Sequence, residues 1–195
     1  PRSSSSAASD VYKRQMEDNS SVDLIRSRMK AEIWDDYDHW ILARLAEFTE
    51  SVESCFKNFD LAPLTHLIYR FFWNDFCDWY VEASKGKLKT GGDSTGNCLA
   101  IQDFVLRQVL QLAHPVIPHI TEELWAQLGY GQSDKLLIEK TTILKAEWMK
   151  EQLAFSESAV ERVNAMQSLI QEARALKAQY KICLLYTSDA ADDEE

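Results

Sequence analysis

The stretch at residues 70–80 constrains the fold of this chain more than any other feature. Six of its eleven residues are aromatic, and they are interleaved with Asn74, Asp75, Cys77 and Asp78. A surface helix of a globular protein usually confines its apolar side chains to one face. Because the rings here fall on nearly every side of a helix, the segment must be enclosed by neighbouring elements or offer rings to a ligand.

Apolar residues recur in steps of three or four along most of the remaining chain, which predicts amphipathic helices. Few glycines and prolines (six and four) also favour long helices over a turn-rich sheet. We expect an all-α fold, a bundle of about five helices. The predicted helices run from Trp34 to about Phe59, from an N-cap at Asp60 with Pro63 in the first turn to about Ser84, from Leu99 to Ala113, from Thr121 to Gly129 and from Ser158 to Tyr180. A loop is predicted at residues 85–97, and a short strand at residues 136–138.

The two ends of the chain differ from its middle. Residues 1–15 and 183–195 lack apolar periodicity, and both resemble translated sequencing-adapter read-through. We expect these ends to be non-native or disordered tails flanking one helical-bundle domain at residues 16–182. On this hypothesis the chain is an internal piece of a longer protein.

Charge and composition limit the classes of function. The net charge is −10, so any contact with RNA must come from a local basic or aromatic patch and not from attraction to the whole domain. No apolar run approaches the roughly 18 residues that a membrane span needs. The four cysteines are far apart and form no C-x-x-C pair, which favours reduced thiols in a cytoplasmic protein.

The segment at residues 114–119 raises the question of a metal site, since it begins and ends in histidine. The spacing of five, with two prolines between, fits neither a helical ligand pair nor a zinc finger. A structural helix break is the preferred interpretation, so we expect no metal. The sequence also contains no catalytic triad, dinucleotide-binding glycine motif or Walker loop.

Two groups of residues are candidates for RNA contact. The first combines rings that can stack on unpaired bases with lysines that can meet phosphates: Trp73, Phe76, Trp79, Lys85 and Lys87. The second is a basic stripe near the end of the last predicted helix, which includes Arg174 and Lys177. The alternatives are a crowded core for most of the rings and simple complementation of the helix macrodipole for the stripe.

Three motifs resemble the C-terminal region of valyl-tRNA synthetases. They are DHWILARL at residues 38–45, FWNDFCDWYVEASK at 72–85 and HPVIPHITEELW at 114–125, in the family's order and approximate spacing. The segment ARALKAQY at 173–180 is similar to the helix that follows in that family. Parts of the first and third motifs also resemble the leucine, isoleucine and methionine relatives, whereas FCDWY with the His-Pro pair resembles the valine enzymes in particular.

The resemblance implies an anticodon-binding domain that contacts the anticodon stem-loop of valine tRNA, tRNA(Val). The family's catalytic signatures, His-Ile-Gly-His and Lys-Met-Ser-Lys-Ser, do not occur in this sequence. We therefore expect no catalytic or cofactor-binding residue here, while ATP and Mg²⁺ are implied for the full-length enzyme. The implied partners are tRNA(Val) and the catalytic domain of the same polypeptide. We expect a monomer that binds neither DNA nor membrane.

Two alternatives remain open at this point. The chain could be the same domain of a leucyl- or isoleucyl-tRNA synthetase, or a non-catalytic helical scaffold that binds protein, which its acidity would suit. An RNA-binding domain predicts anticodon-dependent affinity that falls steeply as salt rises. A scaffold predicts no such dependence.

Overall fold

The computed structural model describes residues 29–130, residue 143 and residues 153–180. Within these ranges every regular element is helical, and together they form a bundle, as the sequence predicts. The predicted tails and the predicted strand at residues 136–138 lie outside the described residues. None of the described helices is long and apolar enough to cross a membrane.

The helices follow one another in the order in which the periodicity predicts them. After a 3₁₀ turn at Ala31–Ile33 come α1 (Asp36–Lys57), α2 (Leu64–Tyr69), a π-helix (Arg70–Val81), α3 (Glu82–Thr90), α4 (Asp93–Ala113), α5 (Pro118–Gln127) and α6 (Glu157–Gln179). The backbone stays helical from α2 through the π-helix into α3, so residues 64–90 form one continuous element, called the rod below. With the rod counted once, the described chain has the five predicted helices.

Helix α1 begins at a capping box. The Asp35 carboxylate accepts from the backbone N–H of Asp38, and the Asp38 carboxylate accepts from that of Asp35. This reciprocal pairing satisfies two donors that would otherwise be orphaned at a helix start. The capped end fixes Asp38 at the junction of α1 and the rod.

The π-helix explains how so many rings fit on one segment. Its buried residues are Phe71, Phe76 and Tyr80, spaced five and four apart. In an α-helix a step of five would turn the second ring well away from the first, but a π-helix, whose hydrogen bonds reach five residues on, turns less per residue. The wider winding therefore aligns these three rings on one inward face.

The predicted end of the second helix near Ser84 and the predicted loop at residues 85–97 are wrong. The helix continues to Thr90, and α4 begins at Asp93 after only Gly91 and Gly92, both at positive φ. The Thr95 hydroxyl donates to the carbonyl of Lys87 at 2.7 Å, which satisfies one of the acceptors left over at the end of the rod. Two glycines suffice because both combine a positive φ with ψ near 180°, a conformation that glycine alone adopts at no steric cost.

Two predicted helix starts are corrected as well. The N-cap of the rod is Pro63, and Asp60 lies in the preceding turn, where its backbone N–H donates to Cys55. Helix α5 begins at Pro118, three residues before the predicted start at Thr121. Thr121 is buried inside that helix, where its hydroxyl bonds the carbonyls of Ile117 and Pro118.

Helix α4 is the centre of the bundle. Nearly all its residues from Thr95 to Ala113 are buried, on every side of the helix. Its apolar side chains join those of α1 and the rod in one core that includes Trp40, Ile41, Val52, Tyr80, Ile101 and Val105. The rod is therefore braced from two sides, and one long face remains for solvent.

The first half of helix α6 is anchored to α1. Asn164 accepts a hydrogen bond from the Trp40 indole at 2.9 Å, and Arg162 bonds both oxygens of Asp36 at 2.8 and 2.6 Å. Beyond this anchor an apolar stripe at Met166, Leu169, Leu176 and Tyr180 is exposed. The predicted apolar face of this helix is thus only partly buried among the described residues.

Candidate nucleic-acid interface

The rod presents an exposed face near its N-terminal end. Tyr69 and Trp73 are 58% and 49% exposed, and their ring centroids are 6.3 Å apart. His66, Arg70 and Asn74, which flank these two rings in sequence, are exposed as well. We call these five residues, His66, Tyr69, Arg70, Trp73 and Asn74, the aromatic strip. Of the three rings predicted for RNA contact, Trp73 is the one that this face presents.

The structure places Phe76 in the core. Its side chain is 7% exposed and lies between Phe72 and Tyr80, with centroid distances of 6.0 and 6.3 Å. A base could reach this ring only if the bundle opened. The packing of the three rings therefore assigns Phe76 to the bundle interior and removes it from the candidate RNA contacts.

Trp79 and Arg174 are distant in sequence but are brought together by the fold. The Arg174 guanidinium carbon lies 5.6 Å from the centroid of the half-buried Trp79 ring, a cation–π contact between α6 and the rod. Such contacts contribute roughly 0.5–1 kcal/mol at exposed sites. Lys177 lies one turn further along α6 and is half-buried. These three predicted residues form a second surface, distinct in composition from the aromatic strip.

Lys85 and Lys87 occupy different environments although they are two residues apart. Lys85 is exposed and pairs with Glu82 one turn earlier. The Lys87 ammonium lies between Asp35 at 2.7 Å and Asp38 at 2.8 Å. Because two carboxylates already hold Lys87, its geometry favours a role in joining α1 to the rod over a role in phosphate binding.

Lys87 belongs to a buried polar cluster that includes Tyr80. The Tyr80 hydroxyl donates to Asp38 at 2.7 Å, and Asp38 itself is 1% exposed. Burial raises the pKa of Tyr80 well above its usual value, and the nearby Asp38 charge adds to the effect. Burial alone would lower the pKa of Lys87, but hydrogen bonds to Asp35 and Asp38 outweigh it and raise that pKa. The lysine therefore stays charged and paired.

A second buried polar group lies between α4 and the end of α5. Arg107 pairs with Asp103 at 3.1 Å, and its guanidinium carbon lies 3.9 Å from the centroid of Tyr130. Burial raises the pKa of Asp103, although Arg107 and the Tyr130 hydroxyl oppose the shift. The cluster is compensated within the fold, as buried charges must be.

The two histidines considered for a metal site are separated by their environments. His114 is buried and its Nδ1 lies 2.8 Å from the Thr121 hydroxyl, whereas His119 is exposed. In the part of the chain that the structure describes, no three His, Cys, Asp or Glu side chains converge as a metal site requires. The contact of His114 with Thr121 closes the turn between α4 and α5.

Tyr69 and Arg70 were not among the residues predicted from the sequence. Tyr69 lies just outside the aromatic-dense stretch, and only its four-residue spacing from Trp73 could have indicated that the two rings meet. The partition of the rings between core and surface depends on the π-helical winding, which the sequence pattern does not reveal.

The sequence matches the model of one protein family over residues 38–185, and that family is described as "Anticodon-binding domain of tRNA ligase". Among curated proteins, the chain is 36% identical over 144 residues to the valine–tRNA ligase of Mycolicibacterium paratuberculosis. It is 34% identical over 146 residues to that of Thermotoga maritima and 36% identical over 167 residues to that of Lactiplantibacillus plantarum.

These alignments cover most of the chain but a small part of each relative. They include 73%, 74% and 82% of this chain, and 15%, 16% and 18% of the respective relatives. The similarity therefore concerns a segment of about one sixth of those proteins.

Proposed function

The chain belongs to the anticodon-binding domain family of tRNA ligases, and from this premise we propose that it binds the anticodon stem-loop of tRNA(Val) within a valine–tRNA ligase. The observation that carries the proposal is the family match across the bundle, together with relatives that are all named valine–tRNA ligase. Those names favour valine over the leucine and isoleucine alternatives. The family match favours RNA binding over a protein scaffold.

The recognition follows from the chemistry of an unpaired loop. Single-stranded bases can be splayed out, stacked on aromatic or guanidinium planes and read along their edges. The exposed face of the rod supplies rings, and the Trp79–Arg174 surface supplies a second ring with a cation. Because the chain is acidic overall, these local surfaces and not the mean charge must select the RNA.

The parent enzyme would attach valine to its tRNA with ATP and Mg²⁺. Another part of that enzyme would bind both groups: the ligase signature motifs do not occur in this sequence, and no three metal-ligating side chains converge among the described residues. The chain's part in the reaction would be to hold the anticodon end of the tRNA while another domain performs the chemistry. A hydrophobic pocket separates valine poorly from its isosteres, so the parent enzyme would need to check the amino acid in addition to the anticodon.

We further propose that the domain acts in the cytoplasm as part of a monomeric enzyme, next to the catalytic domain of the same polypeptide. The relatives it resembles are whole ligases several times its length, which supports a covalent neighbour.

The test is a titration of the 195-residue chain against tRNA(Val), the same tRNA with a substituted anticodon, and a leucine tRNA, at low salt. We expect tight binding of tRNA(Val) and weaker binding of the other two. Equal affinity for all three would contradict anticodon recognition, and tighter binding of the leucine tRNA would assign the domain to that enzyme.

A further inference from the structure

We propose that Tyr69 and Trp73 form a two-ring stacking site for one unpaired nucleotide of the bound RNA loop, with Arg70 between them meeting its phosphate. The proposal rests on the function proposed above and goes beyond it by assigning the contact to a defined pair of rings. The other predicted surface, at Trp79 and Arg174, is not required for it.

The two rings are exposed but held in place. Their planes are tilted by 53° at a centroid separation of 6.3 Å, so a base would stack on one ring and meet the edge of the other. Trp73 also rests edge-on against Phe72 at 6.0 Å, and Phe72 packs on the core ring Phe76. This support reduces the conformational freedom that Trp73 would lose on binding, which favours affinity.

The charges around the strip suit a polyanion. Residues 61–74 contain no aspartate or glutamate in a chain whose net charge is −10. Many cations elsewhere in the described chain are already paired, as Arg44 is with Asp75 and Arg162 with Asp36. Arg70 is exposed. Burial raises the pKa of the nearby Asp75 and the charge of Arg70 opposes that shift, but the Asp75 carboxylate forms its ion pair with Arg44, and no described carboxylate pairs with Arg70 itself. The Arg70 guanidinium can therefore still bind a phosphate.

The polar groups of the strip favour RNA over a protein partner. Tyr69 and Asn74 are exposed, and no described residue hydrogen-bonds the Tyr69 hydroxyl or the Asn74 amide. The rings can stack on the face of a base, and the Arg70 guanidinium can bind the phosphate of the same nucleotide. The Asn74 amide can form hydrogen bonds with the edge of the base. Protein-binding cores are usually larger and more apolar.

The experiment measures affinity for a stem-loop RNA that carries 2-aminopurine in its loop, and for the same strand annealed to its complement. We expect Tyr69→Ala and Trp73→Ala each to weaken hairpin binding roughly tenfold, the loss typical of removing one base-stacking ring. Trp73→Phe and Tyr69→Phe keep a ring and should recover most of the affinity. Quenching of 2-aminopurine on binding should diminish in the alanine variants, and affinity for the duplex should not change.

Phe155→Ala is the matched control, because it removes a ring that is 38% exposed on a different segment. It should leave both affinities unchanged, and circular dichroism should show equal helicity for all variants. If Trp73→Ala lost helicity, Tyr69→Ala would decide, since its ring is the more exposed of the two. Hairpin binding by the unaltered chain with no loss in either alanine variant would overturn the stacking site and leave the proposed function intact. No hairpin binding by the unaltered chain would overturn both.

Discussion

At the scale of single residues, two lysines that are two positions apart, Lys85 and Lys87, contribute differently to stability. Lys85 makes a surface ion pair one turn along its own helix, and such pairs contribute about 0–1 kcal/mol. Lys87 instead neutralises Asp38, a carboxylate that α1 carries into the interior. Removing a partner from a buried charge costs far more than removing a surface pair.

Lys87→Met should therefore lower the free energy of unfolding by about 2 to 3 kcal/mol, because Asp38 would keep only the Tyr80 hydroxyl and its capping contact. Lys85→Met, the matched control two residues away, should change it by less than about 0.5 kcal/mol. Urea denaturation followed by circular dichroism measures both. Equal losses for the two variants would show that the ion pair with the buried Asp38 stabilises the fold no more than the surface pair with Glu82.

At the scale of elements, the sequence predicts the number and order of the helices and the bounds of α1 and α6 to within two residues, because amphipathic periodicity persists along these two helices. The winding of the rod cannot be predicted in this way. An amphipathic pattern is recognised by the α-helical period of 3.6 residues, whereas the buried rings of the π-helix are spaced five and four residues apart. The loop predicted at residues 85–97 is wrong because its prediction rests only on a composition rich in Lys, Gly and Ser. Lys87 and Thr95 stabilise that segment as helix through contacts with residues distant in sequence or across the turn.

The same limit applies to the candidate interface. Ring chemistry in the sequence identified Trp73 as a candidate, but which rings face solvent depends on tertiary packing. Phe76 and Trp73 have similar chemistry, and only the packing of Phe72 and Tyr80 around Phe76 separates them.

Helix α6 should show two levels of stability along its length. Its first half is fixed to α1 by Asn164 and Arg162. In the second half Leu169 is 67% exposed, no residue is fully buried, and Arg174 contacts the rod at Trp79. Few buried contacts allow local opening. Native-state hydrogen exchange should find amides of residues 161–167 protected at least tenfold more than those of residues 172–179. Uniform protection along α6 would contradict this prediction.

At the scale of the whole molecule, a net negative charge is compatible with RNA binding if only a few cations contact the phosphates. The sequence alone suggested an affinity that falls steeply with salt. The structure suggests a shallower dependence, because Arg44, Lys87 and Arg107 are held by carboxylates in largely buried ion pairs.

The prediction is best made as a difference between variants. Arg70→Gln should make the slope of log affinity against log salt shallower by about 0.7, the value for one phosphate contact to a single strand. Lys57→Gln removes a lysine that pairs with Glu53 at 3.2 Å and should leave the slope unchanged. Binding of the stem-loop between low and moderate salt measures both slopes. Identical slopes for Arg70→Gln and the unaltered chain would exclude Arg70 as a phosphate ligand.

The winding of the π-helix also limits what can be transplanted. An engineer who copied residues 66–80 into an ordinary α-helical host would carry over every functional group but rotate Phe76 and Tyr80 out of line with Phe71. The host would then have to bury these rings on opposite sides of the helix. Trp73 would lose the support of Phe72, which in this protein packs on Phe76. The proposed stacking site thus depends on the segment together with its bundle, and a peptide cut from the protein should not reproduce it.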